Sequence, residues 1–242
     1  MIPIQELLFT IDTKVNSLAN LKGQYIPDET KIEVLNKSQI KLVLRKIDPN
    51  NIYKLGMGAF SKRYEDLQIL QVPYEEVSLS KTSGDKLNSY SVNTSQLSYD
   101  MIIPVNGYVT ATKDKCKKRI LDIIEVVKQG DLRLKLRHPH YMPDFRYQET
   151  IAMMSSDNIY VYSDEDNSFS IDKLYLSYLR YPKPMDVAGY VHLDGTSSVN
   201  ENCELEYYLL NELVDFAVEE IADATGNQSQ SQLSRQRNTE NE

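Results

Sequence analysis

The sequence predicts an α+β fold in which N-terminal helices and a returning C-terminal helix form a helical bundle, with an inserted, mainly antiparallel β module. Two observations lead to this prediction. Apolar residues recur at helical spacing near both ends of the chain. Runs rich in valine, isoleucine and tyrosine occupy the middle of the chain, separated by turn-forming residues. The predicted order is therefore helices, then strands, then one helix.

This order divides the 242 residues into three predicted parts. Residues 1–72 and 201–226 form the helical core. Residues 73–200 form the inserted β module, and a serine- and asparagine-rich stretch at residues 78–98 is expected to be a long polar loop. Residues 227–242 contain almost no apolar side chains, so we expect a flexible tail there.

Two N-terminal helices are predicted from apolar periodicity and from the residues that start and end helices. The first follows Pro3 and ends before Gly23, and its apolar stripe contains Ile4, Leu7, Leu8, Ile11, Val15 and Leu18. The second runs from Asp28 to about Ile47, because Asp28 suits an N-cap and Asp48-Pro49 stops a helix. A short loop between the two predicts an antiparallel hairpin. A short third helix is predicted between Ser61 and Leu70.

The last predicted helix extends from Cys203 to Ala224, and Gly226 follows where a C-terminal cap is expected. Its apolar stripe contains Leu210, Leu213, Val214, Ala217, Ile221 and Ala224. Seven carboxylates lie mostly off that stripe: Glu204, Glu206, Glu212, Asp215, Glu219, Glu220 and Asp223. We interpret them as the solvated acidic face of a core helix.

Five strands are predicted in the β module: Ile102–Thr112, Arg119–Val127, Glu149–Met154, Asn158–Tyr162 and Phe169–Tyr181. Gly130-Asp131 is expected to open a short helix that ends at Arg137. The strand at residues 169–181 has apolar side chains on both faces. This pattern is typical of a sheet covered on one side by its own chain and on the other by a neighbouring subunit or domain.

Composition excludes several classes of protein. A net charge of −8 argues against a general nucleic-acid binder, which normally carries a net positive charge. Two cysteines cannot form a disulfide framework, so we expect reduced thiols in a cytosolic setting. No apolar stretch is long enough to predict a membrane span. Seventeen tyrosines suit surfaces that are partly buried, including subunit interfaces.

The residues that most often carry chemistry are sparse and scattered. His138 and His140 flank a proline, His192 stands alone, and no four ligands have the spacing of a structural zinc site. Neither Cys116 nor Cys203 has a recognisable activating base nearby in the sequence. We therefore predict no catalytic, cofactor-binding or metal-binding residues and no cofactor.

Two basic clusters are unusual in an acidic chain. They comprise Lys113, Lys115, Lys117, Lys118 and Arg119, and then Arg133, Lys135 and Arg137. Such clusters suit contact with DNA or with an acidic patch on a partner, for example the acidic final helix of a neighbouring copy. A charged, solvated hairpin tip explains the first cluster equally well.

The sequence resembles the ring or adaptor proteins of the head-to-tail connector of crAss-like and related tailed bacteriophages that infect Bacteroidetes. Four stretches that together cover most of residues 1–225 carry the resemblance. They are the opening helical hairpin, 4–46; Asn51-Ile52-Tyr53-Lys54 with Arg63-Tyr64-Glu65-Asp66-Leu67; the strands at 158–162 and 171–182; and Leu193-Asp194-Gly195-Thr196 with Cys203-Glu204-Leu205 and the helix at 211–218. The serine- and asparagine-rich stretch at 78–98 is longer than in the family pattern.

The resemblance implies a non-enzymatic virion subunit located in the neck and assembled in the host cytoplasm. It implies a twelve-fold homo-oligomeric ring below the portal that links capsid to tail, contacts the portal and neighbouring ring or tail proteins, and lets DNA pass without sequence-specific binding. The helices at 1–47 and 203–224 are expected to form the ring core, and the tail to dock on the portal or next ring. Candidate subunit contacts are Leu209, Leu213, Phe216, Tyr175 and Tyr178.

Three alternatives remain at this stage. A tail or tail-hub component of a phage fits the same features. A host-encoded adhesion or carbohydrate-binding module would need a secretion signal, and the first residues, MIPIQELLF, predict a helix instead. An enzyme would need clustered catalytic residues, which the sequence does not predict.

Overall fold

The structure is a computed structural model that describes residues 1–18, 26–47, 65–82, 87–113, 116–155, 157–164, 166, 168–192, 195–224, 232 and 236. The described chain separates into two compact units. The first, which we call the helical unit, contains Met1–Leu70 and Pro182–Glu242. The second, which we call the sheet unit, contains Gln71–Tyr181. The predicted tail lies almost wholly outside the described residues.

Three long helices form most of the described helical unit: α1 (Ile4–Leu18), α2 (Asp28–Ile47) and α4 (Leu210–Ala224), the last packing on the other two. Acidic residues in the first turn of α2 and basic residues in its last turn interact favourably with the helix dipole and so stabilise the helix. Fully buried apolar side chains from all three helices form the core of this unit, among them Leu7, Ile11, Leu35, Leu42, Val43, Leu213 and Ala217.

The predicted last helix begins later than expected. Cys203 does not lie in the helix, because its backbone pairs with that of Ile2 through two hydrogen bonds of 3.0 Å. The side-chain oxygen of Asn202 also accepts a hydrogen bond from the backbone N–H of Ile4 at 3.1 Å, which satisfies a free donor at the start of α1. A turn of 3₁₀ helix at Tyr207–Leu209 then leads into α4. The segment before α4 therefore anchors the N-terminus.

Eight strands join in one sheet in the sheet unit. They are β1 (Gln71–Ser78), β2 (Ser80–Lys81), β3 (Ser89–Asn93), β4 (Met101–Lys113), β5 (Arg119–Val127), β6 (Glu149–Ser155), β7 (Asn158–Tyr162) and β8 (Phe169–Arg180). Their order across the sheet is β1-β8-β4-β5-β6-β7-β3-β2. The β5–β6 pair is parallel and the other pairs are antiparallel. The connection between β5 and β6 includes α3 (Leu132–Arg137).

The predicted fold class, a helical bundle with an inserted β module, is wrong. The chain is a mixed α/β structure dominated by the eight-stranded sheet, and its described residues include only three substantial helices. The stretch at 78–98, expected to be a polar loop, contributes β2 and β3. Tyr90 and Val92 of β3 are buried in the core of the sheet, so tertiary packing outweighs the polar composition of that segment.

Two apolar clusters lie in the sheet unit. The larger is formed by side chains from β1, β3 to β8 and their connections, including Val109, Leu121, Leu174 and Tyr178. The smaller contains Leu132 and Leu136 of α3 with Val127, Ile151, Met153 and Tyr162 from the strands. Because neighbouring residues of a strand point to opposite faces, Ala152 of β6 belongs to the first cluster while Ile151 and Met153 belong to the second. Helix α3 therefore packs on the strands through Leu132 and Leu136.

Candidate functional site

The sheet unit contains an open cleft of about 1190 Å³ whose lining is rich in cationic side chains. Its described lining includes five of them: Lys113, Arg119, Arg133, Arg137 and Arg146. The first two come from one predicted basic cluster and the next two from the other. The structure thus brings together two clusters that are separated in sequence, and we call this cavity the basic cleft.

Helix α3 places two arginines in the basic cleft. Arg133 and Arg137 are four residues apart, so they lie on the same side of the helix one turn apart. Leu136, which also lines the cleft, is buried and anchors that side of the helix. The Nζ of Lys135 pairs with a carboxylate oxygen of Glu125 and lies 3.9 Å from the ring centre of Tyr141. The rigid helix therefore points two of its three cationic side chains into the cleft.

The connected strands β4 and β5 place two further cations there. The Nη1 of Arg119 donates to the backbone oxygen of Phe145 at 3.3 Å, and its guanidinium lies 5.1 Å from the Phe145 ring centre. Phe145 is buried and packs against Phe169, with the two ring centres 5.8 Å apart. The Nζ of Lys113 donates to the Oγ of Ser168 at 2.9 Å. Both cations are thus held in place by contacts from the cleft's own wall.

Three carboxylates belong to the lining that the structure describes: Asp144, Asp164 and Asp166. Asp144 accepts hydrogen bonds from the backbone N–H groups of Arg146 and Tyr147 at 2.5 and 3.2 Å. Asp164 accepts from the backbone N–H of Ser168 at 2.7 Å and also from its hydroxyl. Among the described lining residues, five cations against three carboxylates give a formal charge of +2, although the whole chain carries −8.

The remaining predicted basic residues lie elsewhere. Lys118 pairs with Asp172 at 3.4 Å, Lys117 is exposed, and Lys115 lies outside the described residues. Arg146 and the three acidic residues of the cleft were missed by the sequence analysis. Asp144 and Arg146 lie between α3 and β6, whereas Asp164 and Asp166 lie between β7 and β8, so only the folded sheet brings them together with the basic clusters.

The acidic face predicted for the last helix is solvated only in part: Glu206 and Asp223 are exposed and Glu219 and Glu220 are partly exposed, but Glu212 and Asp215 are not solvated. Glu212 and Asp215 are buried, and each is paired with a lysine from another helix. Lys14 lies 2.8 Å from Asp215. Lys46 lies 2.9 Å from Glu212, and it also pairs with Asp66 of the 65–70 segment at 3.2 Å. These carboxylates are therefore part of the interior of the helical unit.

Asp66 has a second hydrogen-bond donor. The hydroxyl of Tyr208 donates to its carboxylate at 2.6 Å, and burial together with this bond raises the pKa of Tyr208. The third predicted helix was expected to include this region, but its residues 61–64 lie outside the described chain. The described part of it has helical turns at Glu65-Asp66 and a 3₁₀ turn at Gln68–Leu70.

Four of the five residues predicted as subunit contacts are buried within their own chain. Leu209, Leu213 and Phe216 are in the helical unit and Tyr178 is in the sheet unit, each with at most 3% of its surface exposed. Burial also raises the pKa of Tyr178, whose hydroxyl donates to Glu75 at 2.6 Å. Tyr175 remains partly exposed.

Tyr175 belongs to a group of aromatic side chains on the sheet, which we call the tyrosine face: Tyr74, Tyr108 and Tyr175. The ring centres of Tyr108 and Tyr175 are 4.8 Å apart and nearly parallel, and those of Tyr74 and Tyr108 are 5.3 Å apart. Tyr175 and Tyr108 are opposite each other in the β8–β4 register. The hydroxyl of Tyr175 donates to Glu76 at 2.8 Å. Tyr74 is about half exposed, at 47%.

The histidines and cysteines are placed apart from the basic cleft, with one exception. Cys116 is exposed and lines the cleft, whereas Cys203 is buried, and its burial raises the pKa of its thiol to about 11. His138 and His140 lie near each other at the exposed end of α3. Among the described residues, no three histidine, cysteine or acidic side chains are grouped as a metal site would require.

His192 belongs to a small polar cluster in the helical unit. Its Nε2 lies 3.1 Å from Asp186, which also accepts from the hydroxyl of Tyr190 at 2.5 Å and from two backbone N–H groups. Burial alone would raise the pKa of Asp186, but these hydrogen bonds outweigh burial and lower it. Burial and the bond to Asp186 raise the pKa of Tyr190 to about 12. The cluster holds the 186–199 segment together.

Comparison with known proteins does not assign the chain to a family, because no protein-family model and no curated protein matches it significantly. Within the part of the chain that the structure describes, no helix has the length and apolar character needed to cross a membrane.

Proposed function

We propose that the chain is a structural virion protein that forms a ring in a phage head-to-tail connector below the portal. In this proposal it links capsid to tail in the neck of the virion, after assembly in the host cytoplasm, and has no catalytic role. Its partners are other copies of itself, the portal and neighbouring ring or tail proteins. DNA passes the ring without sequence-specific binding. The four resembling stretches named above supply the family, the position and the twelve-fold symmetry of this proposal.

The tyrosine face is the observation on which the proposal of self-assembly rests. A stack of partly exposed tyrosines on a rigid sheet offers large, flat contact area at low cost in side-chain entropy, and tyrosine is enriched at protein interfaces. Because β1, β8 and β4 pair within one sheet, and Tyr108 lies directly opposite Tyr175, the sheet holds these rings in place before any partner binds; Tyr74 lies where the β1–β8 register shifts between Val72 and Glu75. A preformed surface of this kind loses little further freedom on association.

A closed ring sets a geometric requirement. Each subunit must present two different faces, because a head-to-tail ring is built from heterologous contacts that close on themselves. We propose the tyrosine face as one of the two. Exposed side chains of the helical unit, among them Met1, Phe9 and Tyr207, each more than half exposed, are a source of the complementary surface on the next copy.

The experiment that tests this proposal is the mass of the purified protein by light scattering, alone and after incubation with portal-bearing heads. We expect a closed ring, either free or formed only on the heads. A double variant, Tyr108→Ser/Tyr175→Ser, should reduce ring formation. The control is Tyr147→Ser, which removes a 70% exposed tyrosine of the same unit outside the face. A protein that stays monomeric and does not bind the heads contradicts the proposal and favours a tail component.

A further inference from the structure

The basic cleft contains arginines that have no acidic partner in the part of the chain that the structure describes. Among the described residues, neither Arg133 nor Arg137 has a carboxylate within ion-pair distance, whereas Lys135 between them is paired with Glu125. From this arrangement we propose that the basic cleft is a binding site for a phosphate group, with Arg119, Arg133 and Arg137 as its principal ligands. This inference goes beyond the proposed ring and does not require it.

The arrangement of charge favours a bound anion. Two like charges four residues apart on one helix repel each other, so Arg133 and Arg137 destabilise α3 unless a counter-charge lies between them. Arg119 is already held by Phe145, so its guanidinium needs little reordering to meet a ligand. Lys113 adds a further positive charge from the β4 side of the cleft. A bound anion would supply the counter-charge that Arg133 and Arg137 lack among the described residues.

The acidic residues of the cleft do not compensate these arginines. The carboxylate of Asp144 is engaged by backbone N–H groups and that of Asp164 by the N–H and hydroxyl of Ser168. Asp166 is exposed, and the described lining has a formal charge of +2 with all three carboxylates counted. Two of the five carboxylates of α4, Glu212 and Asp215, are buried and paired with lysines, so they are not available to the cleft of a second copy.

The chemistry of the donors selects phosphate over carboxylate. Each guanidinium is a planar fork of N–H donors that binds two oxygens at once. A carboxylate has two oxygens, which one fork already occupies. A phosphate group has additional oxygens and accepts from several guanidinium groups together, so three arginines around one cleft match it better. The volume of about 1190 Å³ leaves room for what the phosphate is attached to.

Two sources of phosphate are consistent with this chemistry, a free phosphate compound and the backbone of a nucleic acid. Calorimetric titration of the full chain with inorganic phosphate, with oligothymidylate and with citrate separates them. We expect binding of at least one phosphate-bearing probe. If oligothymidylate binds more tightly, with an affinity that falls steeply with salt and is displaced by inorganic phosphate, the source is a nucleic-acid backbone. If inorganic phosphate alone binds, the source is a free phosphate compound.

The variant that tests the assignment is Arg133→Gln/Arg137→Gln, in which glutamine preserves helix propensity and removes both charges. We expect its affinity for the probe to fall roughly tenfold or more, the effect of losing charge-assisted hydrogen bonds. Lys117→Gln/Lys118→Gln makes the same change in charge outside the lining of the cleft and should weaken binding much less. Equal losses in the two double variants would overturn the proposal, and so would no binding of either phosphate probe or tighter binding of citrate.

The outcome is independent of the light-scattering test. A monomer with an intact phosphate site contradicts the ring and leaves the cleft assignment standing. A ring without phosphate binding does the reverse. Circular dichroism of each double variant confirms that a change in affinity does not arise from loss of the fold.

Discussion

The acidic residues of α4 and the basic residues of the cleft both appear in the sequence as clusters of like charge, but they have different roles in the structure. In the helical unit, Glu212 and Asp215 are buried and each is neutralised by a lysine of the same chain. In the sheet unit, Arg133 and Arg137 lie on an open cleft without an acidic partner among the described residues. The comparison indicates that a run of charge contributes to the fold when the topology supplies its partner, and is available for a ligand when it does not.

The largest effect should come from breaking the buried ion pairs of the helical unit. Lys46→Met removes the cation shared by Asp66 and Glu212, leaving two buried carboxylates without their lysine. We expect the free energy of unfolding to fall by about 4 kcal/mol, as for other buried pairs that lose one partner. Denaturant unfolding followed by circular dichroism measures this change.

The matched control is Lys37→Met on the same helix. Lys37 pairs with Glu33 at 2.6 Å, but both side chains are more than 60% exposed. Exposed pairs contribute little to stability, so this variant should unfold nearly as the wild type does. Similar losses in the two variants would contradict the view that burial gives the Lys46 pairs their importance.

A second prediction compares a residue of the helical core with one of the tyrosine face. Leu213→Ala removes a fully buried side chain of α4 and should lower the free energy of unfolding by about 3 kcal/mol. Tyr175→Ser removes a partly exposed ring that stacks on Tyr108, so it should cost less stability while reducing assembly. Unfolding curves and light scattering on both variants measure the two effects. If Leu213→Ala left the free energy of unfolding unchanged, the claim that the buried Leu213 side chain stabilises the helical unit would be wrong.

The smallest effect should be a change in acid stability from Asp186. The folded pKa of this carboxyl is lowered, so its ionised form stabilises the protein above the unfolded pKa of about 4. That stabilisation is lost as the pH falls through the folded pKa. Asp186→Asn should therefore lower stability at neutral pH and flatten the decline between about pH 5 and pH 2. Urea unfolding at several pH values across this range measures the free energy of unfolding. If that free energy fell with pH as steeply in Asp186→Asn as in the wild type, the result would contradict this account.

Parts of the fold could be predicted because local signals define them. The bounds of α2 follow from Asp28 after Pro27 and from Pro49, and those of β5 and β7 follow from short apolar runs between turn residues. The structure confirms these elements. The dominance of the sheet could not be predicted locally, because β3 is polar in composition and becomes a strand by pairing with β7 and burying Tyr90.

The candidate site could be predicted only in part. Both basic clusters were evident in the sequence, but their convergence depends on the connection between β5 and β6 through α3. The burial and pairing of carboxylates on α4 depend on contacts between residues still farther apart in the sequence, since Asp215 and its partner Lys14 are 201 residues apart. A periodic pattern shows which side of a helix is apolar, but not which lysine elsewhere in the chain covers a carboxylate on its other side.

The most direct test of the contrast between the two regions is the free energy of unfolding of wild type and Arg133→Gln/Arg137→Gln, with and without inorganic phosphate. A ligand that binds only the folded protein stabilises it, so the wild type should gain more stability from phosphate than the variant does. Without phosphate the variant should be as stable as the wild type or slightly more, because a like-charge repulsion is removed. A variant that is clearly destabilised without phosphate, or that gains as much from phosphate as the wild type, would contradict the account.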